Sequence, residues 1–380
     1  MVSDKFNIRK QNESMLLKKI IDEQNISRAD LSKLTGLNKA SVSTITKDLI
    51  ENNFVFEIGT GNSSSVGGRK PVLLEFNPKV ATVIAIDVGI NYIYGIHSYL
   101  NGEEISWFEE TDITISKENV LNLINKAIEV LTKKTDLEVV SLAIGVHGVV
   151  NNNDIYFTPY YDLTDLNLIE ELTKLYDYPI FIENEANLVA LGAYCFGLEA
   201  HSLVGLSIHS GIGAGIVNDG LLQKGQYGEA GEVGHTILFP GGEKCPCGNL
   251  GCFEQYASTE ILFNKIKGIL NLNYINSLLV KKEYYNNNKE VVKTLEENAY
   301  LLSIGINNIS SFLNPQTIII NSPIYNIIPE LIDQVKSNLS GQFSNKINIK
   351  PSALGKKSIV YGGVALASQN FLNINKLKFI

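Results

Sequence analysis

One stretch of the chain, Gly228 to Glu254, reads GEAGEVGHTILFPGGEKCPCGNLGCFE and sets the tightest limit on how the protein folds. It contains three of the four cysteines, Cys245, Cys247 and Cys252, in the spacing C-x-C-x4-C, with His235 ten residues ahead of the first. Three thiolates and one imidazole complete a closed tetrahedral shell of the kind that holds a structural zinc ion. Gly241, Gly242, Gly248 and Gly251 allow the tight folding that turns four ligands inward. The competing reading is three buried free thiols, against which stands the clustering of so scarce a residue.

The 380 residues leave room for two or three domains. The formal net charge of −8 conceals a division: residues 1–76 carry a net +2 and the remainder −10. A mildly basic head on an acidic body is the asymmetry expected where only the head meets phosphate. Within the head, Ile8, Leu16, Leu17, Ile20 and Ile21 fall near helical spacing. Ser27 caps a second helix, with Asp30 in the capping-box place, and Gly36 ends it. Asn38 caps a third, whose Val42, Ile45, Leu49 and Ile50 face inward. Helix, glycine turn, helix is the helix-turn-helix pattern. Its outward Lys39, Ser41, Ser43, Thr44 and Lys47 are small or basic side chains suited to base edges and phosphates in a major groove. Strands around 54–59 and 69–76 then bracket the Gly/Ser-rich segment 60–68, predicting a wing with Arg69 and Lys70 on the DNA backbone or in the minor groove. The alternative for the same pattern is a helical protein-interaction domain with a solvated hairpin.

Asn77-Pro78-Lys79 reads as a hinge. Beyond it, buried strands at 81–89, 93–100, 139–146, 178–182, 203–208 and 317–320 alternate with helices near 117–134, opening in the run 183–187, across 258–312, at 327–339 and from Tyr361. Polar residues cluster at the strand ends. That alternation predicts an α/β fold that binds ligands at those ends. No apolar run reaches the ~18 residues of a membrane helix, and the first residues lack a signal-peptide core. With so few cysteines, a cytoplasmic protein that does not contact membrane is expected.

The zinc stretch also carries a resemblance. G-E-x-G-H followed by C-x-C-G-x-x-G-C-x-E resembles the signature of the ROK family, which joins sugar-responsive repressors and sugar kinases. The resemblance extends over nearly the whole chain. It implies two actin-like, ribonuclease-H-like lobes with a cleft between them at 77–380, behind a winged helix-turn-helix head at 1–76 that the family's kinases lack. It also implies that His235 serves two sites, one ring nitrogen ligating zinc and the other side of the ring facing sugar, and that Glu232 and Glu254 hydrogen-bond sugar hydroxyls. The segment G-G-R-K-P-V-x-L resembles the wing end of the family's repressors, the xylose repressor group in particular.

Against the kinase motifs the chain departs in three places. The family's E-N-D-x-N, whose Asp is the base, reads Glu183-Asn184-Glu185-Ala186-Asn187, and the longer carboxylate is displaced by about 1 Å, a shift that costs ~100-fold in rate. The phosphate loop D-x-G-G-T reads Asp87-Val88-Gly89-Ile90-Asn91, and a late G-G reads Asn321-Ser322. Gly211, Gly213 and Gly215 of the second phosphate loop remain, although such glycines also serve tight strand–helix packing. The expected sugar site is Asn184, Glu185, Glu232, His235 and Glu254, with no catalytic residue. Tyr160 and Tyr161 either stack on a sugar or fill the cleft, while His97, His201 and His209 are expected to be structural. The expected function is a repressor, a homodimer or homotetramer, released from double-stranded operator DNA by xylose or another sugar. The alternatives are an ATP-dependent sugar kinase with an appended head and a constitutive DNA-binding protein with a vestigial cleft.

Overall fold

The computed structural model describes residues 2–61, 70–164, 166–197 and 200–379, with side chains from Lys10 onward. Arg69 and most of the expected wing loop lie outside the described residues. The chain opens with helix α1 (Val2–Glu23), the two-residue strand β1 (Ile26–Ser27), α2 (Arg28–Thr35), α3 (Lys39–Glu51), β2 (Val55–Thr60) and β3 (Val72–Phe76). The caps fall where the side chains allow them. The Ser27 hydroxyl accepts from the Asp30 N–H at 3.1 Å, and Asn38 Oδ1 accepts from the Ser41 N–H at 2.9 Å. Gly36 ends α2 in the left-handed region at φ 72°, which a side chain would resist. The strands form an antiparallel sheet in the order β1-β3-β2, and Leu16, Ile20, Leu31, Val42, Leu49, Val55 and Leu74 make the core beneath it.

Two further sheets share one topology. The first holds β4 (Thr82–Val88), β5 (Tyr92–Tyr99), β6 (Glu104–Thr111), β7 (Val139–Val146) and β10 (Ile180–Asn184), in the order β10-β7-β4-β5-β6. Three antiparallel strands, β4 to β6, are extended by two parallel ones, with α4 (Val120–Thr132) packed on one face and the hairpin β8 (Val149–Asn151)–β9 (Asp154–Phe157) and α5 (Leu168–Thr173) inserted before β10. The second holds β11 (Ser202–Ile208), β12 (Ile212–Asn218), β13 (Leu221–Leu222), β14 (Thr317–Asn321) and β15 (Asn348–Pro351), in the order β13-β12-β11-β14-β15 and again with three antiparallel strands and two parallel. Between β13 and β14 run the cysteine loop, α7 (Glu254–Ala257), α8 (Thr259–Ile269), α9 (Ser277–Tyr285) and α10 (Lys289–Leu313). α11 (Glu330–Ser337) precedes β15. The segment that carries Gly211, Gly213 and Gly215 forms the turn and start of a β-hairpin, in which Ile212 pairs with Ile208. No helix among the described residues is long and apolar enough to cross a membrane.

Helices α6 (Glu185–Phe196) and α12 (Ser358–Leu372) lie between the sheets. They meet at backbone distance, because a methyl on Gly362 would overlap the Leu188 carbonyl and one on Gly192 would come 2.8 Å from the Gly362 nitrogen. α12 rests on the first sheet, where Gly363 faces Ala85, and α6 rests on the second, where Gly205 faces Ala190. The end of α12 and the tail after it reach the head: Phe371 in α12 stacks on Phe54 at 5.9 Å, and Phe379 in the tail lies between Phe76 at 6.1 Å and Phe196 at 5.8 Å. Head and body therefore share one apolar cluster. Gly362→Ala should destabilise the protein by about 1–3 kcal/mol through overpacking. Gly268→Ala, in α8 with nothing within 4 Å of the added methyl, should stabilise it by about 0.5–1 kcal/mol. Urea unfolding of both variants checks the pair, and equal effects would remove the close-packing argument.

Candidate functional site

A cavity opens where the strand ends of the two sheets face each other, lined by Glu185, Glu232, His235, Glu254, Tyr160 and His209 among others. The loop carrying Glu232 and His235 reaches it by lying flat on β12. Gly231 stands at φ 97° against the Ala214 carbonyl, and its own carbonyl accepts from the Ala214 N–H at 2.9 Å. His235 ends a single 3-10 turn, Val233–His235, and Glu254 begins α7.

His235 faces two ways. Its Nδ1 is 3.5 Å from Cys245 Sγ, and its Nε2 is 3.6 Å from Glu232 Oε2. Cys247 and Cys252 stand 3.6 Å apart, sulfur to sulfur, and the four candidate ligand atoms all lie within 4.8 Å of one another. A tetrahedral ion with metal–sulfur bonds of about 2.3 Å needs its sulfurs about 3.8 Å apart, so His235, Cys245, Cys247 and Cys252 fit such an ion. The short bridges Ile237–Cys252 and Lys244–Leu250 fold the loop back on itself and bring these residues together. Glu254 borders both features, with Oε1 3.1 Å from Cys245 Sγ and 3.6 Å from His235 Nδ1.

The remaining expected sugar residues differ in what they have free. Glu185 is buried, and burial raises its carboxyl to about 7, with Glu232 adding and His147 opposing. Asn184 lines the cavity but has all four hydrogen-bonding positions engaged. Its Oδ1 accepts from the Ala186 and Asn187 N–H groups at 2.8 and 3.1 Å, capping α6. Its Nδ2 donates to Gly148 O and Glu185 Oε2, both at 2.8 Å. Its role in this arrangement is to position Glu185. Below it, buried Glu183 accepts from Asn187 Nδ2 at 2.9 Å and pairs with Lys224, a residue that sequence reading passed over because a lone lysine before a glycine carries no signal. Tyr160 lines the cavity, whereas Tyr161 is buried and structural, its hydroxyl donating to Val88 O at 2.7 Å and accepting from the His147 N–H at 2.8 Å. His97 is structural as expected, bonded to Thr82 Oγ1 at 2.7 Å, but His209 lines the cavity and corrects the expectation that it is structural.

The positions that would serve phosphoryl transfer are occupied by other contacts. Asp87 is buried with Oδ1 3.2 Å from His147 Nε2, and the Tyr92 ring lies where a side chain on Gly89 would project. Burial pushes His147 down, but its hydrogen bond to Asp87 and the charges of Glu185 and Asp87 outweigh that and leave it raised. Gly215 has the Ala186 carbonyl against it, so helix packing accounts for it without a phosphate. Asn321 and Ser322 are buried in a side-chain network with His209, Asn326 and Thr259.

In the head, Lys39, Ser43, Thr44 and Lys47 are exposed along α3, Ser41 is half-buried under its cap, and Lys70 is exposed. Arg28, unremarked in the sequence, ties α2 to α3 through Thr46 Oγ1 at 3.0 Å and to β2 through Glu57 at 2.8 Å.

Comparison with known proteins accords with this geometry. The family model described as "ROK family" matches residues 83–370. The xylose repressor of Bacillus spizizenii is 34% identical, over 99% of this chain and all of its own length. A ROK family transcriptional regulator, a homologue of the E. coli MLC protein, superposes at a TM-score of 0.79 with 26% identity, covering 97% of each chain. A ROK glucokinase of Streptomyces griseus, solved with glucose and AMPPNP, reaches 0.69 with 23% identity, covering 76% of this chain and all of its own.

The raised Glu185 makes a pH prediction. Folded Glu185 keeps its proton to about pH 7, whereas a carboxyl in the unfolded chain releases it near about 4.3. Stability from this group is thus complete below about pH 4 and is lost as pH rises through about 7. The thermal midpoint of Glu185→Gln should gain on the parent between pH 5 and 8, and an advantage equal at both pH values would show that the carboxyl is not held up.

Proposed function

The chain belongs to the ROK family and to its sugar-responsive transcriptional repressors, and on that premise we propose that xylose or a related sugar enters the cavity and releases a winged helix-turn-helix head from operator DNA. The observation that carries this is His235, which presents Nδ1 to Cys245 of the thiol cluster and Nε2 to Glu232 in a cavity lined by carboxyls. In this reading residues 1–76 are the DNA-reading head and 77–380 the two-lobed sugar-binding domain. The β1-β3-β2 sheet beside three helices supports a winged head, in which Lys39, Ser41, Ser43, Thr44 and Lys47 enter the major groove. Arg69 and Lys70 hold the backbone or the minor groove. Two heads of a homodimer, or of a homotetramer, read two half-sites.

Glu185, Glu232, His235 and Glu254 bind the sugar hydroxyls and Asn184 orients Glu185. His235, Cys245, Cys247 and Cys252 hold a structural zinc ion, whose chemistry is to fix the loop rather than to react. The kinase reading is the weaker one. A carboxyl near 7 would suit a general base, but Asp87 is bonded to His147 and the other phosphate-side positions are committed to packing. A sugar shifts a two-state head only by its differential affinity, and a 100-fold preference supplies ~2.7 kcal/mol.

Fluorescence anisotropy of the full-length protein on a duplex selected from random DNA tests this. Xylose or a related sugar should weaken binding at least about 10-fold, and binding that no sugar alters would favour the constitutive reading. Lys39→Ala and Lys47→Ala should each lower the slope of log affinity against log salt by about 1. Cys247→Ser should lose bound zinc by elemental analysis and blunt the sugar response; an unchanged zinc content would refute the zinc assignment, and normal induction without zinc would refute the role of zinc in placing His235.

A further inference from the structure

The cavity has an inner wall that the sugar contacts above leave unused. His147 follows the end of β7 in the first sheet and His209 follows the end of β11 in the second, and their rings meet edge to face with centroids 5.7 Å apart. Each is held from behind. His147 Nε2 stands 3.2 Å from both Asp87 Oδ1 and the Tyr92 hydroxyl. His209 Nε2 stands 3.5 Å from Asn321 Nδ2, and the amide is oriented by Asn326 Nδ2, 3.5 Å from Asn321 Oδ1.

An amide N–H facing Nε2 makes that nitrogen the acceptor. Burial, with the charge of His147, lowers His209 to about 3 and keeps its ring neutral. A neutral ring that accepts at Nε2 carries its proton on Nδ1. Among the described residues no hydrogen-bond partner meets that Nδ1–H, although the ring lines the cavity. A donor that faces the cavity without a protein partner is placed to meet a ligand oxygen. The carboxyl side chains of the lining, Glu185, Glu232 and Glu254, disfavour an anionic ligand.

We propose that His147 and His209 are specificity-determining residues of the sugar site: their rings close its inner end, the Nδ1–H of His209 donates to an oxygen of one neutral monosaccharide, and the wall excludes any longer substituent at that end. The proposal rests on the sugar-binding reading. Because the two rings belong to different sheets, a sugar that touches both also spans the two lobes.

The test is ligand-dependent thermal shift and operator release of the full-length protein with D-xylose, D-glucose and maltose. The parent should prefer one monosaccharide. His209→Ala should raise that sugar's apparent Kd at least about 10-fold and narrow its lead over the next larger probe, while His209→Gln, which keeps an N–H, should lose less. His147→Gln should narrow the lead in the same way, and with His209→Gln it carries the comparison if His209→Ala does not fold. Affinities within about 2-fold and an unchanged order in the folded variants would overturn the proposal alone. A parent that binds DNA but responds to none of the three probes would overturn the sugar reading and this inference with it.

Discussion

Everything in this molecule hangs on the glycine-to-backbone contact between α6 and α12. Side chains of ordinary size hold packed helices 8–10 Å apart. Here Gly192 and Gly362 remove the side chains, so the two helices bear on one another through their main chains. One helix belongs to each sheet by packing, and their contact fixes the separation of the two sets of strand ends. The cavity is the space that this separation leaves. The same contact fixes the start of α6, where Asn184 caps the helix and Glu185 stands in the cavity wall.

Within that frame a single imidazole faces two kinds of neighbour, a thiol at one nitrogen and a carboxyl at the other. His235 is held by its place among thiols and so cannot rotate freely in the cavity. A sugar that bonds its other nitrogen finds a ligand already oriented, which lowers the entropy lost on binding. The acidic neighbours Glu185, Glu232 and Glu254 repel one another, and burial raises both Glu185 and Glu232. A polyhydroxylated ligand relieves this by donating hydrogen bonds to carboxylates that otherwise have too few.

Much of this was legible in the sequence where the signal is local. The caps at Ser27 and Asn38 and the glycine stop at Gly36 each depend on a few adjacent residues, and the folded chain uses them as read; the cysteine spacing is as local, and the fold gathers its three side chains beside His235. Departures at Ile90, Asn321 and Ser322 pointed to a disabled phosphate side for the same reason. What escaped depends on contacts far apart in the chain. β1 is two residues long and is a strand only because β3 offers it an edge. His209 became a cavity residue because β11 ends opposite β7, and Asn184 is engaged on all sides because Gly148 passes beside it. The contact between the head and α12 stacks Phe54 on Phe371 across most of the chain, beyond any local pattern.

Phe196 at the far end of α6 gives the helix a second meaning. Its twelve residues make a rod about 18 Å long, with Glu185 in the cavity at one end and Phe196 against Phe379, and through it Phe76 of the head, at the other. A tilt of about 10° about the cavity end would carry the far end by roughly 3 Å, half the thickness of a packed ring pair. Linkage makes such a lever reversible: whatever factor a bound sugar takes from DNA affinity, bound DNA takes from sugar affinity. Free and operator-bound protein would then meet the same sugar pool with different affinities, and the tighter the operator holds the protein, the more sugar its release requires.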